Sequence, residues 1–485
     1  MEQNIIDVRH WNWVVLASGV LVVLLCSVRL IGLEKWPAGF YVDEAGEAGN
    51  VLCISETGES YTHEPMPLYA TGPAGGKLSP IFVYGASVWT QIFGPSISSF
   101  RAMTGAWNIL GLVGLFFLGR FFGGPKAGTL TLLVGALCPW AIMSARVAWD
   151  PALTATPVIW GTYFLIRAQR TREFALAGIV LAFATYCYQA QRIQVPLLSG
   201  AILFLRWRSG SLSWRKALIF MGTALVVATP QLAFVLTPGG YERAARTSIM
   251  SEHYRTYFAD NNYWTLLGIF LKNIYQHLSP SFLFLAGDRN LRHSIPGHGQ
   301  LGLLDLLGLT AAITVLIKRL YIKLREKISF SRSKLLGSEL TSGLAVQVSM
   351  IGIFCGVIPA ALTWEGIPHA LRSVGSWPFF ALLSGTTLSF WLTNKPRFTG
   401  VLVALVTCIS IWQYVSNWNK VKKLSEPWFD HHITMQVEQL TTESDWLSFA
   451  IANRGVYSKD ALTYHFIAKG GYTCSIARTM IESIK

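Results

Sequence analysis

The sequence predicts an all-α polytopic membrane protein, and three observations predict it. Of 485 residues, 52% are hydrophobic and only 14% charged, whereas soluble domains carry about a quarter charged residues. The apolar residues gather into repeated runs, most of them close to the ~20 residues that a helix needs to cross a bilayer. The basic residues give a formal net charge of +14, yet they alternate by loop and form no patch or stripe. That pattern excludes a nucleic-acid surface and reads as a topology signal.

The first apolar run extends from about Trp13 to Leu33. Arg9 precedes it, so the N-terminus is expected in the cytoplasm. No small-residue cleavage site follows before Trp36-Pro37, so the run reads as a retained span. Residues 34–79 then form a first external loop, too long to be a mere connector and rich in Gly, Pro, Glu and Tyr. Segment 79–93 is apolar but too short to cross. If it crossed, every later loop would invert and the basic residues would fall on the wrong face. It is therefore expected to be an amphipathic juxtamembrane helix.

Further spans are expected at about 101–120, 126–145, 150–167, 173–190, 193–207, 215–236, 300–321, 341–362, 372–392 and 398–416. With the first, the total is about eleven transmembrane helices. The cytoplasmic loops then hold Arg120 with Lys126, Arg167 with Arg170 and Arg172, Arg206 with Arg208, and the basic 318–340 loop. A second large external loop, 237–299, contains an expected interfacial helix near Tyr263–Leu278. Residues 1–416 thus form a transmembrane catalytic module. Residues 417–485 form a small extracytoplasmic C-terminal region, marginal as a domain by itself and expected to lean on the external loops. Seven cysteines show no metal-ligand spacing. Cys53 and Cys474 both fall in exported segments and are able to pair, although nothing in the spacing requires it.

Chemistry concentrates on the outer face. Phe40-Tyr41-Val42-Asp43-Glu44-Ala45-Gly46-Glu47 places an acidic pair just beyond the first span, at the membrane surface. The carboxylates on that face are Asp43, Glu44, Glu47, Glu64 and Asp150. The cations are Lys77, Arg101, Arg146, Arg192, Arg289, Arg292 and Arg372, with His293 and His369. A lipid-borne phosphate needs cations at headgroup depth, arginine above all, because its planar fork grips two oxygens. A carboxylate beside it is placed to take a proton from an attacking hydroxyl. Plainer readings compete: Arg101, Arg146 and Arg372 suit snorkelling to headgroups, and Asp150-Pro151 suits a helix start with Asp as N-cap. No P-loop and no Ser-His-Asp order is present.

These motifs resemble the GT-C superfamily of membrane glycosyltransferases. The acidic pair after the first span, written Tyr41-Val42-Asp43-Glu44-Ala45, looks like the branch of protein O-mannosyltransferases and lipid A aminoarabinose transferases. Lys77-Leu78-Ser79-Pro80, Ser98-Ser99-Phe100-Arg101, Ser144-Ala145-Arg146 with Asp150-Pro151, Tyr186 through Arg192, and Gly287-Asp288-Arg289-Asn290-Leu291-Arg292-His293 resemble its later elements in order. Lys77 lies between Gly76 and Leu78, so the acidic-lysine-proline element of the aminoarabinose enzymes is not intact. The long outside domain of eukaryotic O-mannosyltransferases is absent from the pattern.

The resemblance implies a GT-C fold and an inverting transfer of a monosaccharide from a polyprenyl-phosphate donor to an acceptor glycan, lipid or protein. It implies Asp43 as general base, Glu44 as its orienting partner, and Arg101 with Lys77 on the donor phosphate. Arg292 and His293 are further phosphate candidates, and Arg146, Asp150, Arg192, Glu64 and Arg372 supporting ones. No cofactor is expected to be required, although a divalent cation fits this chemistry. The expected location is the bacterial plasma membrane, with active site and C-terminus extracytoplasmic. The alternative is a transporter or flippase for a lipid-linked anion.

Overall fold

The computed structural model describes residues 23, 26–252, 254, 262–328, 338–454 and 457–483. The expected span Trp13–Leu33 lies mostly outside them. Helices dominate: α1 (Val42–Thr57), α2 (Pro80–Phe93), α3 (Ile97–Leu137), α4 (Pro139–Ala145), α5 (Ala155–Arg167), α6 (Thr171–Ala184), α7 (Gln191–Arg208) and α8 (Trp214–Val235) come first. Next come α9 (Pro238–Thr247), α10 (Tyr263–His277), α11 (Leu303–Ile328), α12 (Ser338–Ala361), α13 (Trp377–Asn394) and α14 (Pro396–Ser416). The tail supplies α15 (Trp418–Ser425), α16 (His431–Val437), α17 (Glu443–Asn453), α18 (Lys459–Ala468) and α19 (Cys474–Glu482).

By length and composition, four described helices are long and apolar enough to cross a membrane: Ile97–Leu137, Trp214–Val235, Gly343–Ala361 and Pro396–Ser416. The other expected spans coincide with helices that fall short of that measure. The expected spans 101–120 and 126–145 are one helical run, broken at Gly123 and Gly124. Gly124 takes φ 73°, a conformation glycine adopts without steric cost, and Pro125 restarts the helix. The short segment 79–93 is a helix, as its Ser-Pro start suggests. Ser79 Oγ accepts the Phe82 N–H at 3.3 Å and donates to the Tyr186 carbonyl at 2.8 Å, tying α2 to the turn after α6. Within 237–299 the helix expected near Tyr263–Leu278 is present as α10, preceded by the short α9.

Among the described residues three apolar cores form, the smallest around Trp36, Trp149 and Phe429, and the two larger ones organise the chain. One fills the bundle, with Leu112 and Leu115 of α3, Val158 of α5, Phe174 of α6 and Trp377 with Phe380 of α13 among its members. The other joins α1 and α2 to the tail: Phe40, Ala45, Val51, Phe82 and Phe100 pack with Trp446, Tyr464 and Phe466. The tail is thus continuous with the segment that follows the first apolar run. Cys53 and Cys474 form a disulfide with Cα atoms 5.2 Å apart. Small residues make the approach close. A Cβ on Gly49 would fall 2.0 Å from the Asp460 carbonyl oxygen, and one on Gly46 2.9 Å from its carboxylate.

Candidate active site

The site begins with how the chain leaves its first apolar segment. Arg146 is buried and donates to the carbonyls of Ile31 (3.1 Å), Gly32 (2.9 Å), Trp36 (2.9 Å) and, by a very short contact, Val28. Arg101 is also buried, and donates to the carbonyls of Leu33 (2.8 Å), Pro37 (2.6 Å) and Gly39 (2.9 Å). Its remaining N–H groups form a bidentate pair with Glu44, at 2.9 and 2.7 Å. Two arginines therefore fold residues 28–39 into a fixed turn that delivers α1. This corrects two expectations. Arg101 has no N–H left for a phosphate, and neither arginine snorkels; both are fully enclosed.

Glu44 is equally committed. Beyond Arg101 it accepts the N–H of Ala148 (2.7 Å) and, closing the first turn, of Tyr41 (3.3 Å). It orients the helix that carries Asp43. Asp43 itself is half-buried in that first turn, where the helix dipole favours a negative charge. Burial nonetheless raises its pKa, while the charges of Arg292, Arg243 and His293 and the Tyr41 hydroxyl pull it back down.

One helical turn on, and so on the same face, stands Glu47. Its carboxylate accepts the Asp150 N–H at 3.1 Å. Asp150 is not an N-cap: it opens a short 3₁₀ turn, and α5 starts only at Ala155. Burial lifts Asp150 to about 7, with Asp43 pushing the same way and Arg243 opposing. Glu47 is raised as well, first by burial and then by Asp150 and Asp43. Three carboxyls thus share one pocket wall.

Near them, the Arg292 guanidinium lies over Tyr41, 3.8 Å from the ring centroid and 5.6 Å from that of Trp428. Its Nε is buried with no hydrogen-bond partner. His293 donates through Nδ1 to Asp288 at 2.9 Å, and its ring stacks on His369 at 4.8 Å and leans on Trp149 at 5.5 Å. Arg243 comes from α9; Tyr188, Asp150 and Asp43 all favour its charged form. Arg192 also faces this wall, lying over Tyr69 at 5.2 Å with its Nε unpartnered.

Other expected members are engaged elsewhere. Lys77 donates to Thr71 at 2.7 Å and pairs with Glu64 at 3.7 Å. Arg372 is bound to Glu365 at 2.5 Å and Thr363 at 2.9 Å. Arg289 is exposed. Sequence reading missed Arg243, Tyr41 and Trp428; only Tyr41, inside the acidic motif, carried a signal.

Asp288, His293 and His369 bring one potential metal-ligating atom each to within 4.8 Å of one another. Asp288 already accepts the His293 Nδ1–H and the Ala370 N–H (2.8 Å) on one oxygen and the Asn290 N–H (2.9 Å) on the other. The His369 N–H is in turn accepted by His277 Nε2 at 2.9 Å. These bonds fix the His293 ring, while Nδ1 of His369 is buried without a hydrogen-bond partner among the described residues. Just beneath, an apolar cavity of about 290 Å³ is lined by Trp36, Ile142, Ile295, Tyr414, Trp418 and Val421, among others.

Residues 77–234 match the family model of dolichyl-phosphate-mannose-protein mannosyltransferase. The resemblance read from the motifs holds over that stretch. It includes Lys77, Arg101, Arg146, Asp150 and Arg192, and leaves out Asp43, Arg243 and Arg292. No curated protein sequence matches the chain. Among solved structures, ArnT from Cupriavidus metallidurans bound to undecaprenyl phosphate is 13% identical, with a TM-score of 0.48, covering 97% of this chain and 78% of that one. The oligosaccharyltransferase AglB from Archaeoglobus fulgidus, in complex with an inhibitory peptide and a dolichol-phosphate, is 12% identical, with a TM-score of 0.48, covering 89% and 59%.

Proposed function

We propose that the protein is a membrane glycosyltransferase that moves a monosaccharide from a polyprenyl-phosphate donor to an acceptor on the extracytoplasmic face, by a single inverting displacement. The observation that carries the proposal is the half-buried Asp43 facing Arg292 and Arg243, two guanidiniums with no hydrogen-bonded carboxylate partner among the described residues. The acceptor hydroxyl oxygen attacks the anomeric carbon on the face opposite the phosphate. As the new C–O bond forms, the bond to the phosphate oxygen breaks and its electron pair leaves with the phosphate. The hydroxyl proton passes to Asp43. Arg292 and Arg243, with Arg192 behind them, neutralise the departing phosphate. The apolar cavity under Trp36 and Ile295 suits the isoprenyl chain. The chemistry needs no metal step, because the arginines supply the countercharge.

The test is transfer of labelled sugar from a polyprenyl-phosphate donor to envelope acceptors by purified protein. Asp43→Asn should abolish it while leaving the thermal midpoint unchanged. Near-normal turnover in that variant refutes the assignment.

A further inference from the structure

The C-terminal tail, expected to lean on the external loops, reaches the site at three points. Asp430 Oδ2 accepts the N–H of Val42, the residue before Asp43, at 2.9 Å. To do so Asp430 takes φ 50°, a left-handed conformation that aspartate tolerates better than most residues. Next to it, the Phe429 carbonyl oxygen lies 2.2 Å from where a Cβ on Gly39 would fall, so only glycine permits this approach. Trp428, half-buried, adds a second aromatic ring 5.6 Å from the Arg292 guanidinium, besides the Tyr41 ring at 3.8 Å. The charge of Arg292 acts on both Asp43 and Asp430.

We propose that the tail stretch Trp428–Asp430 is part of the donor site. Trp428 is the wall that presents the planar fork of Arg292 to the phosphate of a lipid carrier. Asp430 is a positioning residue: it caps the turn bearing Asp43 and balances Arg292 when no phosphate is present. This inference rests on the glycosyl-transfer reading above. This contact matters because an arginine held against aromatic rings loses little freedom when it binds, and its unpartnered Nε–H stays fixed in place. Asp430 supplies an acceptor for one helix-start N–H and a negative charge that phosphate must outcompete.

The experiment is binding of undecaprenyl phosphate to the full-length protein in detergent. Trp428→Ala should weaken binding about tenfold, and Trp428→Phe should recover most of the loss. Asp430→Asn keeps an oxygen for Val42 but removes the charge beside Arg292, so binding should tighten about threefold. Tightening separates positioning from a merely structural role, which can only weaken binding. If Arg292→Ala loses binding while Trp428→Ala and Asp430→Asn match the parent protein, this inference is overturned and the donor reading stands. If the parent protein does not bind, or Arg292→Ala binds equally well, the donor reading itself fails and takes this inference with it.

Discussion

Replacing Arg101 by alanine separates a scaffold from a phosphate clamp. Arg101 and Glu44 are both 0% exposed, and all five guanidinium N–H groups are engaged. Truncating one partner of a buried, hydrogen-bonded ion pair costs roughly 3–5 kcal/mol, because the other charge is left without a partner. The carbonyls of Leu33, Pro37 and Gly39 lose donors too, at about 1 kcal/mol each. The sum approaches the whole stability of an ordinary domain, about 5–15 kcal/mol. Arg101→Ala should therefore accumulate poorly and elute as aggregate in detergent size-exclusion chromatography. Arg101→Lys, with three donors in place of five, should fold with a clearly lowered midpoint. Glu44→Gln should be damaged as well, since both Glu44 oxygens accept N–H groups and either amide orientation turns an NH₂ toward donors. An Arg101→Ala protein that melts like the parent but needs more donor would refute this reasoning and restore the phosphate role implied by the motif.

Other outcomes follow from the same geometry. Because burial raises Asp43, its base form is lost as pH falls at a higher pH than for an ordinary carboxylate; Arg243→Gln removes a countercharge and should move that acid limb of the transfer profile further up, and a downward shift would contradict the placement. Asp150 binds its proton more tightly folded than unfolded, so folding stability falls as pH rises from about 3.8 toward about 7. Asp150→Asn should thus raise the thermal midpoint at pH 8 and leave it nearly unchanged at pH 4, and a lowered midpoint at pH 8 would contradict it. Cys53→Ser should lower the midpoint by roughly 2–5 kcal/mol of stability, and the parent protein should change mobility on gels when reduced; equal mobility with and without reductant would argue against the disulfide.

The membrane class and the short α2 were legible because they depend on local signals: loss of charge, run length, and a Ser-Pro helix start. The acidic motif was legible for the same reason, since Asp43 and Glu44 belong to one turn. Their division of labour was not. Glu44 becomes structural only because Arg101 approaches from α3, 57 residues away in sequence. Arg146 looked like a lipid-facing cation for want of any sign that it would meet four carbonyls of a turn more than a hundred residues earlier. Arg243 sits in a polar loop segment among other charges, and nothing in its neighbours marks it. Asp150 resembled a cap because the dipeptide is right; the chain instead makes a 3₁₀ turn whose first N–H, that of Asp150, is donated to the Glu47 carboxylate.

The bond between Val42 and Asp430 joins positions 388 residues apart. During synthesis the turn bearing the proposed base must wait for residues 428–474 to be translated before its cap and covalent tie are complete. A ribosome-bound intermediate has the acidic helix but not its cap, its covering wall or its covalent tie. Catalytic competence would then arrive late and all at once, so that a scarce lipid carrier is not handled by unfinished copies.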